Sequence, residues 1–246
     1  MNPSQVAVCA VALAACSMMN ADPCQSQVRV EVTTSAAAYL PKTYLAQTPQ
    51  PNVGCNADWL GCSEATVLDN ATERPAGMVG AGLTAWFGKR FGAQLSFGYA
   101  ASAVQLSENS FAYYPNPSPH TTSDSRVLGD TSEHVLTATA ELLTLFTPRL
   151  ARAAVYAIAG LSIINHSGAA YAVMNADAAR YGSTGSTDVG PVLGLGTRVR
   201  LAQSVSGRAE IRDYLFATGP GAEFVHLKGN LVLSLGLAAT IARHGL

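Results

Sequence analysis

The stretch Asn230 to Ile241 reads NLVLSLGLAATI, and strict alternation runs through it. Leu231, Leu233, Leu235, Leu237, Ala239 and Ile241 fall on one face. Asn230, Val232, Ser234, Gly236, Ala238 and Thr240 fall on the other. Successive side chains of an extended backbone point to opposite sides, so this segment reads as a strand with one aliphatic face and one small or polar face. Seven further segments repeat the pattern: Gln27 to Ser35, Ala76 to Gly88, Phe91 to Ser102, His134 to Phe146, Ala153 to Ile164, Val189 to Leu201 and Val205 to Phe216. In the fourth of these, Leu143 and Leu145 depart from the rule by standing on the polar face.

Strands of about ten residues cross a bilayer at the usual tilt. Composition points the same way. Of 246 residues, 48% are apolar and only 13% charged, with a mean hydropathy of +0.18. A membrane-spanning helix needs about 18 continuous apolar residues, and the longest such run, Val6 to Cys16, is too short. The apolar content lies instead in many short stretches. The connections alternate in length. Gly88-Lys89-Arg90, Thr147-Pro148-Arg149-Leu150 and Gln203-Ser204 read as tight turns, whereas 41–75, 108–131 and 166–188 read as long polar loops and 217–223 as a shorter one. Short turns at one end and long loops at the other is the layout of a membrane barrel with both termini at the short-turn end. Trp86, Phe87, Phe91, Phe146, Tyr214 and Phe216 fall near strand ends, where interfacial girdles stand. The expected fold is all-β: an eight-stranded antiparallel up-and-down transmembrane β-barrel. A soluble periplasmic sandwich or lipocalin-like binder is the alternative, but it gives no reason for the alternating connections.

Residues 1–21 read as an export signal and 22–246 as the barrel, which puts the protein in the outer membrane. Val6 to Ala15 is the apolar core of the signal, although no Lys or Arg precedes it. Leu13-Ala14-Ala15-Cys16 resembles a lipobox, making Cys16 a candidate for lipidation; Ala12-Leu13-Ala14 equally fits ordinary cleavage. Cys55 and Cys62 share the first long loop and are expected to form a disulfide in an oxidising compartment, with Cys24 as a competing partner. Six residues separate the pair and no His lies near, which argues against a zinc site there.

With the strands placed, Gly194-Leu195-Gly196-Thr197-Arg198-Val199-Arg200-Leu201 and Arg208-Ala209-Glu210-Ile211-Arg212-Asp213-Tyr214-Leu215 form a hairpin whose Arg and Glu project inward. In this the chain resembles the OmpA-like and OmpX-like small outer-membrane barrel superfamily of Gram-negative bacteria. The resemblance is one of pattern and covers about Gln27 to the C-terminus. It implies the outer-membrane lipid and the barrel assembly machinery as partners. One departure is the ending, Ile241-Ala242-Arg243-His244-Gly245-Leu246, which lacks the terminal aromatic residue that the machinery reads in such barrels.

The chemistry expected of the chain is sparse. A net charge of −1 and a pI near 6.5, with no basic patch, exclude nucleic acid. His120, His134, His166, His226 and His244 are scattered. A lipid A-modifying enzyme with His166 as base and Ser167 as nucleophile is weighed and set aside, because adjacent strand residues point to opposite faces. Gly80-Ala81-Gly82 and Gly194-Leu195-Gly196 are inward-facing small residues within strands rather than nucleotide loops. No catalytic residue, cofactor or metal is expected. The interior is the one concentrated feature. The inner faces contribute Arg29, Arg198, Arg200, Arg208 and Arg212 with Glu31, Glu141 and Glu210. Eight strands leave room only for side chains, so these charges are expected to interlock and close the lumen. Glu210 and Arg212 are the expected buried pair, and Arg200 and Arg208 are expected nearest the watery rim. The expected function is non-enzymatic: a structural or surface-interaction barrel whose loops face outward and meet a surface ligand.

Overall fold

A computed structural model describes residues 28–41, 44–51, 64–87, 90–115, 118–147, 151–176, 187–218 and 226–244. Residues 1–21, expected as an export signal, and Cys16, Cys24, Cys55 and Cys62 lie outside the described residues.

Eight strands close into a ring. They are β1 (Val28–Pro41), β4 (Ala76–Phe87), β5 (Phe91–Tyr114), β6 (His120–Leu145), β7 (Ala153–Ser167), β8 (Thr187–Arg200), β9 (Val205–Thr218) and β10 (His226–His244). Each pairs antiparallel with its neighbours, and β1 closes the ring between β4 and β10. All eight alternating segments of the sequence are among these strands. The register keeps their aliphatic faces outward: Val79, Phe97, Leu136, Ile163, Val189, Leu195, Ile211 and Leu235 are exposed around the outside. A closed barrel wearing such a belt has every backbone group paired within the protein and offers lipid an apolar surface. Among the described residues no helix is long and apolar enough to cross a membrane. The strands are what span it.

Parts of the segments expected as long loops are strand or helix. Strands β2 (Tyr44–Pro51) and β3 (Glu64–Glu73) occupy the first, and β3 pairs with the outer half of β5. The second is no loop for most of its length, since β5 and β6 stay paired out to Tyr114 and His120. The third carries helix α1 (Ala169–Ala176). Alternation explains the extension: Val104, Leu106 and Ala112 on one face of outer β5 are buried, and a half-apolar ribbon continues a sheet when a cover exists. That cover is partly α1, whose Ala170, Tyr171 and Met174 pack with Ala71, Val104 and Leu106. Gly168 makes the turn into α1 at φ 111°, a conformation that side chains disfavour. Pro75 lies in the two-residue break between β3 and β4, where a residue without an N–H interrupts the pairing along β5. First strand β1 also runs on to Pro41, six residues past the alternation read at Ser35.

Candidate functional site

The lumen is stacked in layers along the barrel axis. At the short-turn end lies an apolar layer of Trp86, Leu143, Leu145, Ala154, Tyr156 and Ile158. Leu143 and Leu145, irregular in the sequence pattern, are therefore the floor of the barrel. Trp86 stands edge-on to Tyr156 at 6.2 Å between ring centroids, a favoured aromatic geometry.

Charge comes next. Glu31 on β1 takes Arg198 at 2.6 Å and Arg29 at 2.9 Å, and Trp86 donates to its second oxygen at 3.0 Å. Glu210 on β9 lies between Arg208 at 3.0 Å and Arg212 at 2.6 Å, and accepts from the Tyr156 hydroxyl. Arg212 reaches across to Glu141 on β6 at 3.0 Å. Arg208 also donates to Thr33, Thr84, Gln94 and Tyr156, at 2.9 to 3.1 Å. Gln94 in turn donates to Glu141 at 3.0 Å. The network thus crosses the lumen, joining strands that are not neighbours. Charges so confined persist only when paired and hydrogen-bonded.

Seven of the eight interior charges read from the sequence are ion-paired here, in two clusters: Arg29, Glu31 and Arg198 in one, and Glu141, Arg208, Glu210 and Arg212 in the other. Arg200 is not among them: it is exposed at the short-turn end. Arg208 also differs from expectation, being buried rather than at the rim. Its guanidinium extends toward Gln94 and Thr84 on the far wall, a reach that position along a strand does not reveal. Gly196 makes room for this packing. A Cβ there would lie 2.3 Å from Cζ of the Tyr156 ring. Gly196→Ala is therefore expected to cost about 1–3 kcal/mol by overpacking, measured as a lower urea midpoint in detergent micelles with the slope unchanged.

Above the network a cavity of about 40 Å³, bordered by Gly80, Gly82, Gly98 and Ser234, has room for a few waters. A second apolar layer of Tyr39, Met78, Val135, Ile164, Val192, Tyr214, Phe216 and Val232 closes over it.

The outer end holds a polar group that the sequence did not disclose. Glu73 ends β3, Glu133 lies on β6 and His166 near the end of β7; all three are buried. His166 Nδ1 is 2.8 Å from Glu133 and 3.5 Å from Glu73. Asp188 stands 3.9 Å from its other nitrogen, Nε2. The Tyr39 hydroxyl donates to Glu73 at 2.8 Å and accepts from Asn230 at 2.8 Å. Tyr171 of α1 stacks on the imidazole at 5.6 Å. Burial first, and the Glu133 carboxylate second, push the Glu73 carboxyl up to about 7. Glu73 falls in a segment whose composition reads as loop, and Glu133 and His166 are 33 positions apart, so no spacing announced the trio. The one available signal was that Glu133 and His166 continue the inward parity of their strands. Ser167 is exposed while His166 is buried, so the two do not form a nucleophile and base.

No protein-family model and no curated protein matches the sequence. Solved structures do. The outer membrane protein OprG from Pseudomonas aeruginosa superposes with a TM-score of 0.51 at 11% identity, over 87% of this chain and 96% of that one. The fold is that of the small outer-membrane β-barrels. Neisserial surface protein A also matches, with a TM-score of 0.48 at 13% identity, over 86% of this barrel and 97% of its own chain.

Proposed function

We propose that this barrel is an exported outer-membrane protein, closed to ions, that works by surface contact rather than by catalysis. The observation that carries this reading is the outer sheet. Outer β5 and β6 stay paired from Ala103–Ser132 to Tyr114–His120, beyond the last aliphatic positions of the belt. At about 3.4 Å per residue that ribbon projects roughly 35 Å, and β3 and β2 widen it into four strands. Residues 120–130 of β6 are exposed throughout, which suits a surface that meets a ligand, a host surface or another envelope protein. The filled lumen supports closure, and the opposed directions of His166 and Ser167 speak against the lipid-modifying alternative. Residues 1–21 would supply export, with outer-membrane lipid and the assembly machinery as partners.

Fractionation tests location, and planar bilayers test closure. The protein is expected with outer membranes, with a gel mobility that shifts on boiling, and without steady single-channel conductance. Lipid A mass spectra should be the same with and without it. Solubility without detergent after removal of residues 1–21 would overturn the membrane reading, and a steady conductance the closed one.

A further inference from the structure

We propose that Glu73, Glu133 and His166 form a binding site for one divalent transition-metal ion, such as Zn2+, at the outer end of the barrel. Three donor atoms, one from each residue, lie within 4.8 Å of one another. They come from three strands, and Glu73 belongs to β3, which is outside the barrel ring. A mixed set of imidazole and carboxylates suits first-row ions such as zinc.

Charge makes the case independently of spacing. Two buried carboxylates face one imidazole, and with both ionised a protonated imidazole balances only one of them. Glu133 is 0% exposed, and among the described residues its Oε2 has no hydrogen-bond partner. An oxygen left so costs free energy. Nor do the described residues supply an Arg or Lys in ion-pair contact with either glutamate. A dication would balance both carboxylates and take up the orphaned oxygen.

The surroundings are those of a supported ligand set. Ligating imidazoles commonly donate their second N–H to a carboxylate. Asp188 Oδ2 is placed for that role near Nε2 once Nδ1 faces the ion. Tyr39, itself held by Asn230, orients Glu73. Asp188, beside Nε2, is 31% exposed, so the imidazole side of the trio lies close to water. On binding, the ion replaces the proton between Nδ1 and Glu133, and that proton leaves to solvent. The bond formed would tie the outer sheet, through β3, to the barrel wall at β6 and β7.

The test uses the full-length protein in detergent micelles, stripped with EDTA and titrated with ZnCl2. One equivalent of zinc per chain is expected at micromolar affinity or better, with a rise in the unfolding temperature, since the folded state alone presents the site. His166→Gln and Glu133→Gln are each expected to weaken binding by at least about 100-fold while the boiling-dependent gel shift persists. Asp188→Asn, which touches only the supporting group, is expected to weaken it about 10-fold. X-ray absorption of the zinc-loaded protein should show one imidazole with oxygen ligands, and this readout stands even where a variant does not fold. Failure to retain zinc overturns the proposal. So does equal binding by His166→Gln, or a spectrum with several imidazoles or sulfur, which would place the ion on surface histidines or cysteines.

Discussion

Glu210→Ala is expected to destabilise the barrel by about 3–5 kcal/mol. Glu210 accepts from Arg208, Arg212 and Tyr156 at once. Among the described residues, its removal leaves Arg212 with Glu141 as its one carboxylate and leaves Arg208 with neutral partners. The cost is that of a buried guanidinium without its counter-charge, which exceeds the net worth of the pair. Urea unfolding in detergent micelles or lipid vesicles measures it. A change below about 0.5 kcal/mol, typical of an innocuous surface site, would show that water reaches these arginines and that the lumen is open. Replacing Glu210 with Gln keeps the volume and the acceptor oxygen. It should therefore recover part of the loss, separating hydrogen bonding from charge.

A second large effect is expected at Trp86. Its side chain is 0% exposed, lies against Tyr156 and donates to Glu31. Trp86→Ala removes the largest side chain of the barrel floor and deprives Glu31 of a donor, so a loss of about 3–5 kcal/mol is expected. The floor is also a seal. Beneath the charge network, Trp86, Tyr156 and the aliphatic residues beside them are, among the described residues, what lies between the lumen and the short-turn end. The variant should keep its blocked conductance, because the Arg–Glu network still crosses the lumen. A Trp86→Ala barrel that conducts steadily would show that the aromatic floor, and not the charges, is the barrier. Trp86→Phe, which keeps the ring and drops the N–H, should cost far less than the alanine variant.

What the sequence by itself determined is the barrel. Alternation dictates which face of each strand meets lipid, because a one-residue slip would reverse every side chain. The eight segments, the tight turns at Arg90 and Gln203, and the inward parity of Glu31, Glu141, Glu210 and Arg212 all follow from a period of two. What only the tertiary structure decided is what meets across the lumen. Parity says that a side chain points inward, not how far it reaches or which opposite strand it faces. Hence Arg208 crosses to Gln94 instead of standing at the rim, and Leu143 and Leu145 join Trp86 in a floor that only closure of the ring assembles. The same limit hid the outer trio. Glu73, Glu133 and His166 lie far apart in the chain, and the first sits in a segment whose polar composition reads as loop. Its pairing as β3 depends on the buried face of outer β5 and on the cover from α1, which are non-local contacts. Strand pairing between distant segments is set by packing partners rather than by local composition, so the site exists only once the outer sheet has folded onto the barrel.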